Sequence, residues 1–318
     1  MKIVSQAFLP VRASHESAHS GDTGLAKKLS TTVKKQATLT CRDRGNTRTR
    51  AEVRIIMEAV VKRAVAIALV SFAVSGSRCD TPPATDAPTD APQDLHLFLL
   101  IGQSNMAGRG NMLPADKEPV IDGFMLDEND QWVPVRNPIH FDKPHVTGVG
   151  PGYEFLRLYL KRHPGVKVGL IPCAFGGTSI NQWRVGGKLY TTAVRRAKAA
   201  MANGKLKGIL WHQGEADAKP ERLDTYPALF QTMISQLRQD LDTPDMPLVI
   251  GELGQFNEQY IEFNKLFPEI VKLVPNSICV SADGLESKRD KIHFSRAAQL
   301  ILGERYFTAW TELTGVAD

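Results

Sequence analysis

Five short apolar runs, each too brief for a buried helix, recur between amphipathic stretches with helical spacing. That alternation restricts the chain to a parallel sheet whose strands are joined by crossover helices. The runs are residues 95–101 (LHLFLLI), 166–171, 208–211, 247–250 and 277–280. Nearly every residue of the first is apolar, which predicts a strand covered on both faces. The spacing predicts helices over 153–161, 189–202, 223–241, 258–273 and 296–312. No internal repeat is visible.

The pattern begins only near residue 95, and what precedes it has a different composition. Residues 1–63 hold 13 Lys or Arg against 5 Asp or Glu, whereas the remainder is slightly acidic although the whole chain carries a net +5. The basicity therefore belongs to the leader. No basic stripe with interleaved aromatics occurs beyond it, which argues against nucleic acid as a partner. Residues 1–56 are polar and aperiodic and read as disordered. Residues 57–79 place Lys62 and Arg63 before an apolar run at 64–74 and then Ser75, Gly76 and Ser77, the layout of a secretory signal, so the protein is expected to be exported. Export signals start chains, which points to Met57 as the initiator. The apolar run is also far short of the roughly 20 residues that cross a bilayer. Cys79 stands where a lipid anchor could attach, although Arg78 occupies a position that favours a small residue. Residues 80–94 repeat Thr-Asp-Ala-Pro and read as a Pro-rich tether, leaving 95–318 as one α/β domain.

In an open parallel sheet ligands bind at the carboxyl ends of the strands, so chemistry is sought just after each run. After the first comes Gly102-Gln103-Ser104-Asn105-Met106-Ala107-Gly108, where a serine at a strand-to-helix turn can expose its hydroxyl beside backbone N–H groups. A plain helix cap is the alternative for such a serine, and the absence of G-x-S-x-G disfavours an α/β-hydrolase elbow. The second run is followed by Gly176-Gly177-Thr178-Ser179-Ile180-Asn181-Gln182-Trp183, whose paired glycines permit close backbone approach. Asn181 and Trp183 are candidates for lining a sugar site. Trp183 is an equal candidate for packing. After the third run stands His212-Gln213-Gly214-Glu215, in which a glutamine can donate to an oxyanion without adding charge. Before the last helix, Asp290 and His293 lie three apart, close enough for the carboxylate to hold the imidazole Nδ1–H and leave Nε2 for a serine proton. The remaining histidines, including His140 and His212, lack ligand spacing and read as surface or loop residues. The four cysteines, including Cys173 and Cys279, have no CxxC spacing, and no metal or cofactor is expected. Residues 127–130 (DEND) lack the rest of a calcium loop. Residues 112–151 show few regular periods and read as an irregular flap.

GQSNMAG, FGGTSINQW, WHQGEAD and DKIHFS look like the consecutive blocks of the SGNH/GDSL hydrolase superfamily. They resemble in particular its carbohydrate-esterase branch of sialate O-acetylesterases and the acetylxylan esterases of carbohydrate esterase family six. The resemblance implies a flavodoxin-like three-layer α/β/α sandwich around a five-stranded parallel sheet, and hydrolysis of acetylated carbohydrates through an acetyl-serine. It makes Ser104 the nucleophile, His293 the base and Asp290 its acid partner, with Asp283 as rival. It assigns the oxyanion hole to the N–H groups of Ser104 and Gly176 and the side chain of Gln213, which stands where the wider superfamily has Asn. Gln103 and Glu215 fall in the same blocks and are expected near the substrate. The competing readings are a related esterase acting on non-carbohydrate acyl esters and a non-catalytic carbohydrate-binding module.

Overall fold

Strand β1 (Leu95–Gly102) shows why the sheet carries a layer on each face. Its alternate residues separate: Leu95, Leu97, Leu99 and Ile101 enter one core, and Phe98 and Leu100 the other. The computed structural model describes residues 91–315. The leader, the signal-like segment, Cys79 and the linker up to residue 90 lie outside the described residues. No helix among the described residues is long and apolar enough to cross a membrane.

Further along the chain come β2 (Gly123–Leu126), β3 (Trp132–Pro134), β4 (Val168–Pro172), β5 (Gly204–His212), β6 (Leu248–Gly251) and β7 (Ser277–Val280). They form one seven-stranded sheet in the order β3-β2-β4-β1-β5-β6-β7, parallel except where β3 runs against β2. The five expected strands are all present. The two additional ones correct both the strand count and the reading of 112–151 as irregular. They are only four and three residues long, too short to show a period, and residues 127–130 form their hairpin turn. Asp127 closes that turn by accepting hydrogen bonds from the N–H groups of Asn129 and Gln131.

The helices are α1 (Ser104–Ala107), α2 (Pro151–Arg162), α3 (Lys188–Ala200), α4 (Pro220–Leu223), α5 (Tyr226–Asp240), α6 (Glu258–Asn264), α7 (Phe267–Leu273) and α8 (Arg296–Thr314). The single helices expected over 223–241 and 258–273 are each interrupted. Pro227 and Pro268 occupy first-turn positions of α5 and α7, where a missing N–H costs nothing and a continuing helix would be broken. Helices α3, α5, α6 and α7 cover the face that receives Leu97 and Ile101, and α2 and α8 cover the face that receives Phe98. Two hydrogen bonds fix α8 to β5: Tyr306 OH donates to the Trp211 carbonyl at 2.6 Å and Trp310 Nε1 to the Lys207 carbonyl at 2.9 Å. Each fully buried Leu or Phe in these layers contributes about 1.5–3 kcal/mol. The rigidity of the strand ends rests on that packing.

The chain leaves β1 toward β4 and returns to β5 on the other side, so the strand order switches around β1. Crevices open at the carboxyl ends of strands at such a point. Here the gap is narrow: Gly102 has φ +129°, and a Cβ on it would lie 2.1 Å from the His212 carbonyl oxygen. Only glycine lets β1 and β5 end side by side where their loops turn outward.

Candidate active site

Ser104 opens the helical turn α1 directly after β1 and is 5% exposed. As the first residue of the turn it has no earlier carbonyl within α1 for its N–H. Its hydroxyl lies 3.0 Å from His293 Nε2, and His293 Nδ1 lies 2.8 Å from Asp290 Oδ2. A Ser104 O–H that donates to Nε2 and a His293 Nδ1–H that donates to Asp290 complete one row of hydrogen bonds. The 290–293 segment turns tightly, with Lys291 in the left-handed region at φ +55°. This turn lets Asp290 Oδ1 accept from the N–H groups of Ile292 and His293, both at 2.9 Å. Burial pushes the Asp290 carboxyl up, but the hydrogen bonds from the His293 ring and from the two backbone N–H groups outweigh it and bring the pKa down to about 2. Asp283 is exposed and makes no such contact; its carbonyl accepts from Arg305. The carboxylate that meets His293 is Asp290.

The row borders a cavity of about 470 Å³ whose wall includes Gln103, Gly176, Gly177, Glu215 and Tyr260, together with Arg109, Lys143 and Lys288. A somewhat larger cavity of about 560 Å³ lies at the opposite, amino end of the strands, beside His96, Tyr159 and Trp310. It holds none of the motif residues.

Gln213 reaches this region but not the cavity wall. It is fully buried, and its Nε2 donates to Asp217 Oδ2 at 2.7 Å and the Thr178 carbonyl at 2.9 Å, with Gln103 Oε1 at 3.2 Å. Tyr226 OH donates to its Oε1. An amide nitrogen has two hydrogens, so those of Gln213 are taken by protein acceptors. Asp217 also accepts from Ile180 N–H and from Arg222, which fastens the loop after β4 to the loop after β5. Gly176 is close to Ser104: a Cβ on it would lie 3.4 Å from Ser104 Cβ. Its N–H donates to Asp142 Oδ2 at 2.8 Å.

Glu215 lines the cavity, with Asn105 Nδ2 donating to its Oε1 and no partner at Oε2. Burial pushes its carboxyl up to about 7. Trp183 is 1% exposed, packs edge-on against Trp211 and donates its indole N–H to Thr178 Oγ1. It is a core residue, packed in the same cluster as Ile209, Trp211 and Phe230. Asn181 is exposed and lies away from the cavity. His140 and His212 correct the surface reading of the spare histidines. Both are buried, and desolvation lowers them to about 4 and about 3, so they remain neutral. Cys173 and Cys279 are unpaired thiols, and burial raises both.

Three residues of the site carried no recognisable spacing. Asn105 Nδ2 donates to the Ile292 carbonyl at 3.2 Å, and its Oδ1 accepts from Phe294 N–H at 3.1 Å, so it grips the backbone on both sides of His293. Arg109 and Asp142 form a buried ion pair at 2.7 Å behind Gly176. Adjacency of Asn105 to Ser104 was the one available signal; Asp142 sits in a segment with no period at all.

The domain that carries this site is similar to known proteins. Residues 94–312 match the family model described as carbohydrate esterase, sialic acid-specific acetylesterase. A probable carbohydrate esterase of Arabidopsis thaliana is 32% identical over 230 residues, spanning 65% of this chain and 86% of the relative. A crystal structure of an Arabidopsis thaliana protein aligns at 30% identity with a TM-score of 0.64, covering 69% of this chain and 98% of that one. The structure of NanS shares the fold at 18% identity and a TM-score of 0.56, over 71% and 99% of the two chains. With its whole described sheet inside the matched span, the chain belongs to the carbohydrate esterase family of sialic acid-specific acetylesterases.

Proposed function

We propose that Ser104 is the nucleophile of this carbohydrate esterase and that it removes O-acetyl groups from sugar hydroxyls through an acetyl-serine. The observation that carries the reading is the row from Ser104 through His293 to Asp290 on the wall of an open cavity. In the first step Ser104 Oγ bonds to the acetyl carbon while its proton passes to His293 Nε2, and the carbonyl π pair moves onto oxygen. Asp290 holds the ring by Nδ1–H and stabilises the imidazolium. The tetrahedral species collapses as His293 returns the proton to the departing sugar oxygen. Water then repeats the sequence against the acetyl-enzyme.

The Ser104 N–H is one donor to the oxyanion. Gln103, on the cavity wall, offers its side-chain amide as another. Gln213, with both amide hydrogens held by Asp217 and Thr178, braces the wall behind Gln103 and does not reach the oxyanion. The substrate class follows from family membership, and the choice between acetylated sialic acid and acetylated xylan is put to experiment. Acetate release by the full chain is measured on both substrates, with Ser104→Ala as control. Release that falls at least about 10³-fold in a variant with unchanged melting supports the mechanism; near-normal activity in that variant overturns it. We also propose that the protein is exported, on the strength of the signal-like segment at 57–79. Appearance of the chain only in the cytoplasmic fraction of expressing cells would contradict this.

A further inference from the structure

Of the three groups first expected to receive the oxyanion, two have no hydrogen to offer. Gly176 N–H is held by Asp142 at 2.8 Å, and Gln213 Nε2 by Asp217 and Thr178. That leaves the Ser104 N–H and the Gln103 amide, both uncharged, and a cationic donor beside them would stabilise the developing charge further.

Arg109 has the required position. It is 4% exposed, yet it lines the cavity that Ser104 opens into. A Cβ placed on Gly176 would meet Arg109 Nη2 at 2.4 Å and Ser104 Cβ at 3.4 Å, so guanidinium and serine flank the same glycine. The guanidinium is also fixed in place. Nη1 donates to the Gly108 carbonyl at 2.8 Å and lies 3.4 Å from Asp142 Oδ1, and Nη2 donates to Asp142 Oδ2 at 2.7 Å. Of five N–H hydrogens these contacts use three, leaving the second hydrogen of Nη2 and that of Nε. Asp142 is itself held by Thr147 Oγ1 at 3.1 Å and by Gly176 N–H, so the fork cannot swing. A pre-oriented cation in a dry wall stabilises charge that appears only in the transition state more effectively than a mobile one.

We infer that Arg109 is a catalytic residue that donates an N–H to the acetyl oxygen as it becomes an oxyanion, with Asp142 as its positioning residue. The inference rests on the proposed serine mechanism. No proton is transferred: Ser104 Oγ still loses its proton to His293, and Arg109 remains a cation throughout. Because the acetyl group is common to all substrates, the contribution is independent of the sugar.

The test compares the full chain with Arg109→Met and Arg109→Lys on 4-nitrophenyl acetate, which carries no sugar, and on O-acetylated sialic acid. The lysine variant keeps the charge against Asp142 and guards against loss of fold, which is followed by thermal melting. The expected result for Arg109→Met is a fall in kcat of about 10²–10³-fold on both substrates with KM little changed. Arg109→Lys, lacking the fork, is expected to lose at least tenfold in kcat while melting near the parent. Millimolar guanidinium is expected to restore part of the kcat of an Arg109→Ala variant, an effect no structural role would produce. A loss confined to the sialic acid substrate and to KM overturns the inference and makes Arg109 a receptor for the sugar carboxylate. Retention of kcat in both variants also overturns it and returns the oxyanion to backbone donors such as Gly177. A parent chain inactive on both substrates removes the esterase mechanism itself, and this inference with it.

Discussion

The two sides of the cleft are built to different rules. On one side His293 and Asp290 have side chains 22% and 40% exposed. On the other, Gln213 and Asp217 are fully buried, and Arg109 and Asp142 are 4% and 1% exposed. The wet side carries the base that changes protonation during turnover and the carboxylate that faces it, where water limits the cost of the change. The dry side carries groups whose charge stays constant, held in fixed geometry by one another. An unpaired polar atom there incurs the full desolvation penalty, so a substitution that strands one is felt as instability. Exposure thus separates the general base and its carboxylate from the buried groups that fix the geometry around Ser104.

The largest effect expected from this division is on rate without stability. Asp290→Asn should lower kcat by about 10⁴-fold, because the amide can no longer stabilise the imidazolium or impose its tautomer. Its melting point should move little, since the side chain is partly in water. The parent carboxylate stays charged down to about pH 2, so its stabilising contribution is present above the ordinary carboxylate pKa and is lost only as pH falls through that value. A melting point that collapses together with kcat would break the contrast between the two sides.

The next effect is the mirror image. Asp217→Ala removes the acceptor shared by Gln213 Nε2 and Ile180 N–H and leaves Arg222 Nη1 without its carboxylate. A loss of about 2–4 kcal/mol is expected in urea unfolding, because the Gln213 amide and the Ile180 N–H are left buried without an acceptor. The folded fraction should keep measurable turnover, because Asp217 reaches the cavity only through Gln213 and Gln103. Complete loss of activity in fully folded protein would place Asp217 among the reacting groups instead.

The same division explains what could be read before the fold was known. Ser104, Asp290 and His293 lie in short polar blocks beside strongly periodic segments, so alternation located the strands and the strand ends located the blocks. Buried partners gave no such signal. Asp142 comes from a stretch whose two strands are too short to show a period, and its partner Arg109 is distant in sequence. The acceptors that occupy Gln213 are contributed by two different loops, and nothing local to HQGE reveals them. Trp183 illustrates the converse: an aromatic beside a motif reads as a sugar platform, yet its contact with Trp211 depends on how the loop after β4 turns back. Pro227 and Pro268 stand in the first turns of α5 and α7, but the apolar period runs through both and reads as one helix each. Sequence reports periodicity and adjacency well; it reports poorly on which polar atoms are already satisfied.

Glu215 lies where the two sides meet, and it sharpens the comparison with the smallest effect. It lines the cavity but is buried, and desolvation raises its carboxyl from 4.5 to about 7. Between these values the folded chain holds a proton that the unfolded chain has released. Stability should therefore decline as pH rises through this window and stay lower above it. At about 1.4 kcal/mol per pKa unit the decline attributable to Glu215 is about 3 kcal/mol. Glu215→Gln keeps an acceptor for Asn105 Nδ2 and removes the titration, so its urea midpoint should gain on the parent's steadily between pH 4.5 and 7.5. Asn105 grips the backbone around His293 from the dry side, so the variant should also retain most of its kcat at pH 6. Parallel curves for the two proteins would mean that the carboxyl is solvated in solution, and Glu215 would then belong with Asp290 on the wet side of the cleft.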